Sequence, residues 1–379
     1  MPIPFWTFAM PRSPSNPRDR LIALSTLPEG PRGAIHQISN HLASRGPQPT
    51  NFDRSLQVRV QAVLADATQI AHRQQERAAE LEATIMTILD DAYPSSLRPI
   101  EGAPTVLYVR GTIPDREAIA IVGSRRPDSY GLEVADLFAR GLARAGLVVV
   151  SGVARGIDAA AHRACLLARS PTVAFLGCGL DIDYPRGHRQ LADEIALCGA
   201  VVSEFPFGRL PDRWHFPVRN RSIAASSLAT LVVQATLGSG SLSTAHQALE
   251  LGRDVFAVPG RILDELSQGT NGLIRDGAGL AQHPDDVLEA LGRATRSPGS
   301  RPAGEGLTGS ATAPIVPADL EDDARAVLEA LRERSSSTVD DLVTRVAAST
   351  DRLLALLLEL ELRGLVNRGP GPNYSAALW

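Results

Sequence analysis

Four apolar runs in this chain each end in a small, glycine- and serine-rich turn, and each turn leads into a helical pattern. They are 118–122 into Gly123-Ser124-Arg125, 147–150 into Ser151-Gly152, 172–176 into Gly177-Cys178-Gly179, and 228–233 into Gly238-Ser239-Gly240-Ser241. Short apolar strands alternating with helices predict an α/β domain with a doubly wound, mostly parallel sheet. Every turn then falls on one edge of that sheet. Helix N-termini and unpaired backbone N–H groups collect there, and both favour anions. Arginines lie in or near the turns, with no metal-binding or acid–base constellation beside them. The pattern reads as a phosphate-binding surface for a nucleic-acid backbone.

The charge inventory narrows this. All 38 basic residues are arginine, because the chain contains no lysine. A Walker A loop needs a lysine on its phosphates, so a standard P-loop ATPase is excluded. A lysine Schiff base or nucleophile is excluded as well. The formal net charge is −4, so nucleic-acid contacts have to come from a local patch. Cys165, Cys178 and Cys198 are widely spaced, match no zinc pattern and suit a reducing compartment. No apolar run reaches membrane-spanning length, and 1–12 lacks the layout of a secretion signal. The expectation is a cytoplasmic protein with no cofactor and no metal.

Four regions separate along the chain. Residues 1–90 read as a helical N-terminal region, with helices at 20–26, 33–44, 56–71 and 74–90. Its segment Leu27-Pro28-Glu29-Gly30-Pro31-Arg32-Gly33 is either a helix–hairpin–helix turn on DNA or a degenerate structural turn. Residues 91–292 hold the α/β domain, with helices expected at 129–145, 157–169, 187–198, 218–227, 242–252 and 284–292. Residues 293–318 are a Pro/Gly-rich linker. Residues 319–379 read as helices at 322–332, 338–346 and 350–362, followed by a wing-like segment from Asn367 to Tyr374. The third of these helices carries more acid than base, unlike a helix that reads duplex DNA. A partner-binding or packing role suits this tail better.

Within the α/β domain, Gly123, Ser124, Arg125 and Arg126 form the first candidate phosphate turn. It lacks the second glycine of a dinucleotide fingerprint. Ser151, Gly152, Arg155 and Gly156 form the second, ahead of Asp158 and His162, which read as a helix-start acid with a face partner or as an acid–base dyad. Ser239, Gly240, Ser241 and Thr244 open the last helix of the set. Segment 205–221 concentrates Phe205, Phe207, Arg209, Arg213, Trp214, Phe216, Arg219, Asn220 and Arg221 in a chain with only 4% aromatics. Cations for the backbone and rings for stacking are what single strands require. The alternative for Trp214 and Phe216, less favoured, is that they plug the core.

Taken together these residues resemble the DprA/Smf family of DNA-processing proteins. The carrying motifs are Tyr93-Pro94 with Leu97, Leu107 to Gly111, Val122 to Arg125, Tyr130-Gly131, Ser151-Gly152 through Asp158, Leu176 to Gly179, and Ser203-Glu204. They continue with Arg219-Asn220-Arg221, Ser239 to Leu242 with Thr244-Ala245, and Val258-Pro259-Gly260. The resemblance implies an extended Rossmann domain that binds single-stranded DNA in a basic pocket, a homodimer, and loading of the RecA recombinase during natural transformation. It gives phosphate-binding roles to Gly123, Ser124, Arg125, Arg219 and Arg221, and places Arg209 and Arg213 on the rim. Two positions depart from the family pattern: Gln234 stands where Glu is usual, and Ser243 replaces a bulkier residue. An alternative from another class is a phosphoribohydrolase-like enzyme on nucleotides, with Gly238 to Thr244 as its loop and Glu250, Glu204 and Asp158 as candidate acids.

Overall fold

The computed structural model describes residues 15–27, 34–43, 54–293, 321–332, 337–346, 348–363, 365–368 and 373–376. The chain divides into two compact units, Met1–Thr295 and Arg296–Trp379. The expected hairpin turn at 28–33 and the linker at 294–318 lie outside the described residues.

The first unit opens with helices α1 (Pro17–Ser25), α2 (Ala34–Leu42), α3 (Arg54–Ala65) and α4 (Ala67–Glu80). The helix expected at 74–90 stops at Glu80. Ala83–Thr87 is instead strand β1, paired antiparallel with β2 (Val106–Gly111). A β-branched, apolar stretch beside an open strand edge gains more from ladder pairing than from continuing a helix.

The remaining strands are β3 (Ala118–Val122), β4 (Val148–Ser151), β5 (Thr172–Leu176), β6 (Ala200–Ser203), β7 (Ala229–Val232), β8 (Asp254–Ala257) and β9 (Gly279–Leu280). Their order in the sheet is β1-β2-β6-β5-β4-β3-β7-β8-β9. All neighbours from β6 to β9 are parallel, while β2 joins β6 antiparallel. Strand β3 shows why the apolar runs are continuous. Ile119 and Ile121 enter one core with α5 (Ser129–Arg144) and α6 (Ile157–Leu167). Ala120 and Val122 enter the other, with α8 (His215–Ala225) and α9 (Gly240–Glu250). Both faces of the sheet are covered, as a parallel sheet requires. Helices α7 (Arg189–Cys198), α10 (Glu265–Arg275) and α11 (Pro284–Ala290) complete the unit.

Gln234 follows β7 and is buried. Its amide Nε2 donates to Asp128 Oδ1 at 2.8 Å, and the same oxygen caps α5 by accepting from the Gly131 N–H at 2.8 Å. A carboxylate at 234 would face Asp128, so the amide found here fits the aspartate across from it.

The second unit holds α12 (Asp322–Arg332), β10 (Ser337–Thr338), α13 (Val339–Val346), α14 (Thr350–Leu362), β11 (Val366–Arg368) and β12 (Asn373–Ala376). Its strands form a sheet ordered β10-β12-β11. The helices close on a core that includes Val327, Leu331, Leu342, Leu353, Leu357 and Leu360. Three helices and a small antiparallel sheet, one strand of which lies between α12 and α13, make this a winged-helix domain. The middle of the wing-like segment, 369–372, lies outside the described residues.

Candidate functional site

The chain leaves β3 toward β4, β5 and β6, then returns to place β7, β8 and β9 on the other side of β3. Sheets of this kind bind ligands outside the strand ends where the order reverses. A cleft of ≈ 770 Å³ opens there. It is lined by the β3 turn (Gly123 to Arg126), the α8 approach (Arg213, Phe216, Pro217, Arg219, Asn220) and the start of α9 (Ser239, Gly240, Ser241, Ser243, Thr244). The Ser124 N–H donates to Gln234 O at 2.7 Å and ties the turns after β3 and β7 together.

Three guanidiniums in this cleft are free to meet a ligand. Arg125, Arg126 and Arg213 are exposed. Among the described residues their side chains make no hydrogen bond or ion pair. Arg125 lies over the Phe216 ring at 5.2 Å, and Arg213 over Trp214 at 4.8 Å. Such stacking holds a flat cation in place and leaves its N–H edge available. Ser124 Oγ accepts from the Arg126 N–H at 3.0 Å, so its own proton is free to donate. At the start of α9, Ser239 Oγ accepts from the Ser241 N–H at 3.3 Å and lies 2.7 Å from Ser241 Oγ. Hydroxyls, a helix N-terminus and three free guanidiniums make the cleft a receptor for anions.

Gly156 lets the second turn approach the first, and Gly152 makes room for Arg219. Gly156 has φ +80°, and a Cβ there would collide with Ser124 O and Pro127. A Cβ on Gly152 would overlap the Arg219 guanidinium. Ile157 N–H then donates to Ser124 O at 3.1 Å, fixing the start of α6 beneath the first turn.

Arg219 lines the cleft but is only 5% exposed. Its Nη1 donates to Gly152 O at 2.7 Å and Phe175 O at 2.9 Å. Burial lowers its pKa and Asp158 raises it. Asp158 is buried as well. Burial pushes its pKa up, and Arg219, the Ala154 N–H and Arg125 pull it back. The two buried charges support one another, which makes Arg219 first a strut of the cleft wall.

His162 is not a partner of Asp158. Its Nδ1 lies 2.7 Å from Thr172 Oγ1, whose proton goes to Val149 O at 2.7 Å. The imidazole is therefore protonated at Nδ1, and Nε2 has no hydrogen-bond partner among the described residues. Burial drives its pKa down to about 3, so the ring is neutral.

Several sequence-predicted residues lie away from the cleft. Arg221 is two positions beyond Arg219 on α8, about 200° around the helix. It donates from Nε and Nη2 to Glu101 O at 3.2 and 3.0 Å, and from Nη1 to Glu250 Oε2 at 3.4 Å. Arg209 Nη2 donates to Thr26 O at 2.8 Å. Phe207 is buried edge-on against Tyr108, with centroids 5.1 Å apart. Phe205 stacks on His215 at 4.1 Å, and both line a separate smaller cavity. Ser151 is buried and donates to Ile121 O at 2.6 Å. Arg155 is exposed beyond the lining, and Trp214 is exposed beside Arg213. Glu250, a candidate acid of the enzyme reading, ends α9 and does not line the cleft. Sequence reasoning missed Thr236, Glu265 and Leu266 as lining residues; Glu265 and Leu266 open α10, beyond the loop that follows β8, and belong to no phosphate motif. Among the described residues, no group of His, Cys, Asp or Glu is placed to hold a metal ion. No helix there is long and apolar enough to cross a membrane.

Residues 84–292 match the family model for DNA recombination-mediator protein A, and residues 311–372 match that of the DprA winged helix domain. The chain belongs to the DprA/Smf family. Protein Smf of Synechocystis is 36% identical over 311 residues, covering 75% of this chain and 78% of the relative. The DNA processing protein DprA of Streptococcus pneumoniae is 44% identical over 204 residues, covering 53% and 72%. Its X-ray structure matches with a TM-score of 0.60 at 33% identity, covering 73% of this chain and 98% of that one. DNA processing protein A of Helicobacter pylori, known for a single-stranded DNA binding mode, matches with a TM-score of 0.51 at 30% identity, covering 56% and 97%. The family is one of DNA-processing recombination mediators.

Proposed function

We propose that this chain grips the backbone of single-stranded DNA in the cleft between the ends of β3 and β7, and hands the strand to a RecA recombinase. The carrying observation is the convergence of the unpaired Arg125, Arg126 and Arg213 on the hydroxyls at the start of α9. Stacked rings beside them, Phe216 and Trp214, suit a strand whose bases are unpaired. The single-stranded DNA binding mode described for the Helicobacter pylori relative supports this ligand. The RecA step and a homodimeric state rest on the family resemblance.

The role is binding without catalysis. Glu250 is paired with Arg221, Glu204 accepts from Ser222 Oγ, and Asp158 is enclosed beside Arg219. That leaves the three candidate acids of a phosphoribohydrolase engaged in the scaffold. Incubation with nucleoside monophosphates should release no free base; release would favour the enzyme.

The salt dependence of oligothymidine binding tests the grip. Each phosphate contact contributes about −0.7 to the log–log slope for single strands, so Arg126→Ala should flatten it by roughly that amount. An unchanged slope would remove Arg126 from the interface.

A further inference from the structure

Of the four glycine turns, the third lies outside the lining of the cleft, yet it is built against it. A Cβ on Gly177 would press on the Phe216 ring, and one on Gly179 would overlap Pro206 O. The loop that follows folds back over the second turn, where His188 Nδ1 donates to Val153 O at 3.0 Å. Tyr184 of this loop lies against Phe216, with ring centroids 5.6 Å apart. Phe216 is the ring that also carries Arg125. Tyr184 nevertheless remains 37% exposed. Arg155 in the second turn and Arg186 beside Tyr184 are exposed as well. Among the described residues their side chains make no hydrogen bond or ion pair. The two acids of the loop are engaged: Asp181 accepts from the Gly208 N–H at 2.8 and 3.0 Å, and Asp183 from the Gly187 N–H at 3.4 Å. Strands β3, β4 and β5 are neighbours about 4.8 Å apart, so the turns bearing Arg125, Arg155 and Arg186 follow one another along the sheet edge.

We propose that a strand gripped in the cleft continues across the ends of β4 and β5, stacking one base on Tyr184 and laying its phosphates on Arg155 and Arg186. This rests on the single-strand reading above. An exposed ring backed by a second ring is a stacking platform for any base, because every base has a π-face. Free guanidiniums on this loop and the adjoining turn supply the backbone contacts. A base inside a duplex has both faces covered by its neighbours, so Tyr184 adds to the preference for single strands.

The test measures binding of the full chain to oligothymidine and to an abasic deoxyribose-phosphate strand of equal length, over a range of salt. Tyr184→Ala should weaken oligothymidine binding about fivefold or more, the value of one base stacked on an aromatic ring, and leave the abasic strand unaffected. Tyr184→Phe should bind both strands as wild type does, because the ring face is kept. Arg155→Ala and Arg186→Ala should each weaken both strands alike and flatten the log–log salt slope by about 0.7. An equal loss for both strands in Tyr184→Ala would mean that the ring only supports Phe216, and would overturn the stacking assignment. Unchanged slopes in the arginine variants would overturn the path. If Arg125→Ala weakens oligothymidine binding while Tyr184→Ala and Arg186→Ala do not, only the continuation fails. If wild type binds neither strand, the single-strand reading itself fails.

Discussion

Arg219 is the residue whose role the structure most changes, and Arg219→Met tests it. The side chain is enclosed, with two charged hydrogen bonds to Gly152 O and Phe175 O. Methionine keeps much of the apolar volume but leaves both carbonyls unsatisfied and removes the charge that most favours the ionised Asp158. Breaking one side of a buried ionic pair costs about 3–5 kcal/mol. In a unit of this size that is a fall in Tm of roughly 10 °C. Thermal unfolding followed by circular dichroism gives the number. The double variant Arg219→Met with Asp158→Asn should recover at least about 1 kcal/mol, because the uncompensated carboxylate is gone. An unchanged Tm in the single variant, with oligonucleotide binding lost, would refute the strut and make Arg219 purely a ligand contact.

Two further outcomes follow from buried polar groups. His162 titrates near 3 in the fold against an ordinary 6.5, so the unfolded chain takes up a proton first as pH falls. Its contribution is complete above the ordinary value and is lost downward from there, about 2 kcal/mol by pH 5. Stability of His162→Asn should fall less between neutral pH and pH 5, as read by urea denaturation at each pH; parallel losses would contradict the neutral ring. Gln234→Glu should destabilise by about 1–3 kcal/mol at neutral pH, because a carboxylate replaces the amide that donates to Asp128. The deficit should shrink as the medium is acidified and one of the two acids protonates; a stable variant at neutral pH would mean that Asp128 turns away.

Much of this fold was legible because its strands are short and apolar on both faces. The runs ending at Val122 and Leu176 coincide with β3 and β5, and the tail helices at 322–332 and 350–362 coincide with α12 and α14. Strand β1 was not legible: Ala83–Thr87 continues a helical pattern in sequence and becomes a strand only beside β2. Helix α10 was hidden by Gly269 and Gly272, which lower intrinsic helix propensity. The candidate site divides in the same way. Turn residues such as Ser124 and Arg125 reach the cleft because backbone topology alone puts them there. Residues 215–221 depend on the phase of α8, which proximity in sequence does not reveal. Arg219 and Arg221 look interchangeable in the chain, yet α8 points one into the cleft wall and the other toward Glu101 and Glu250. Phe205 and Phe207, chosen for their rings, serve packing.

The central claim is that unpaired arginines at the β3–β7 switch point hold a single strand. Fluorescence anisotropy of a labelled oligothymidine, wild type beside Arg125→Ala with duplex of equal length as competitor, tests it most directly. Wild type should bind the single strand in preference to the duplex. Arg125→Ala should weaken binding roughly tenfold or more, the loss of a charge-assisted contact, while the Tm stays unchanged. Equal affinity in the variant, or a preference for duplex, would contradict the account.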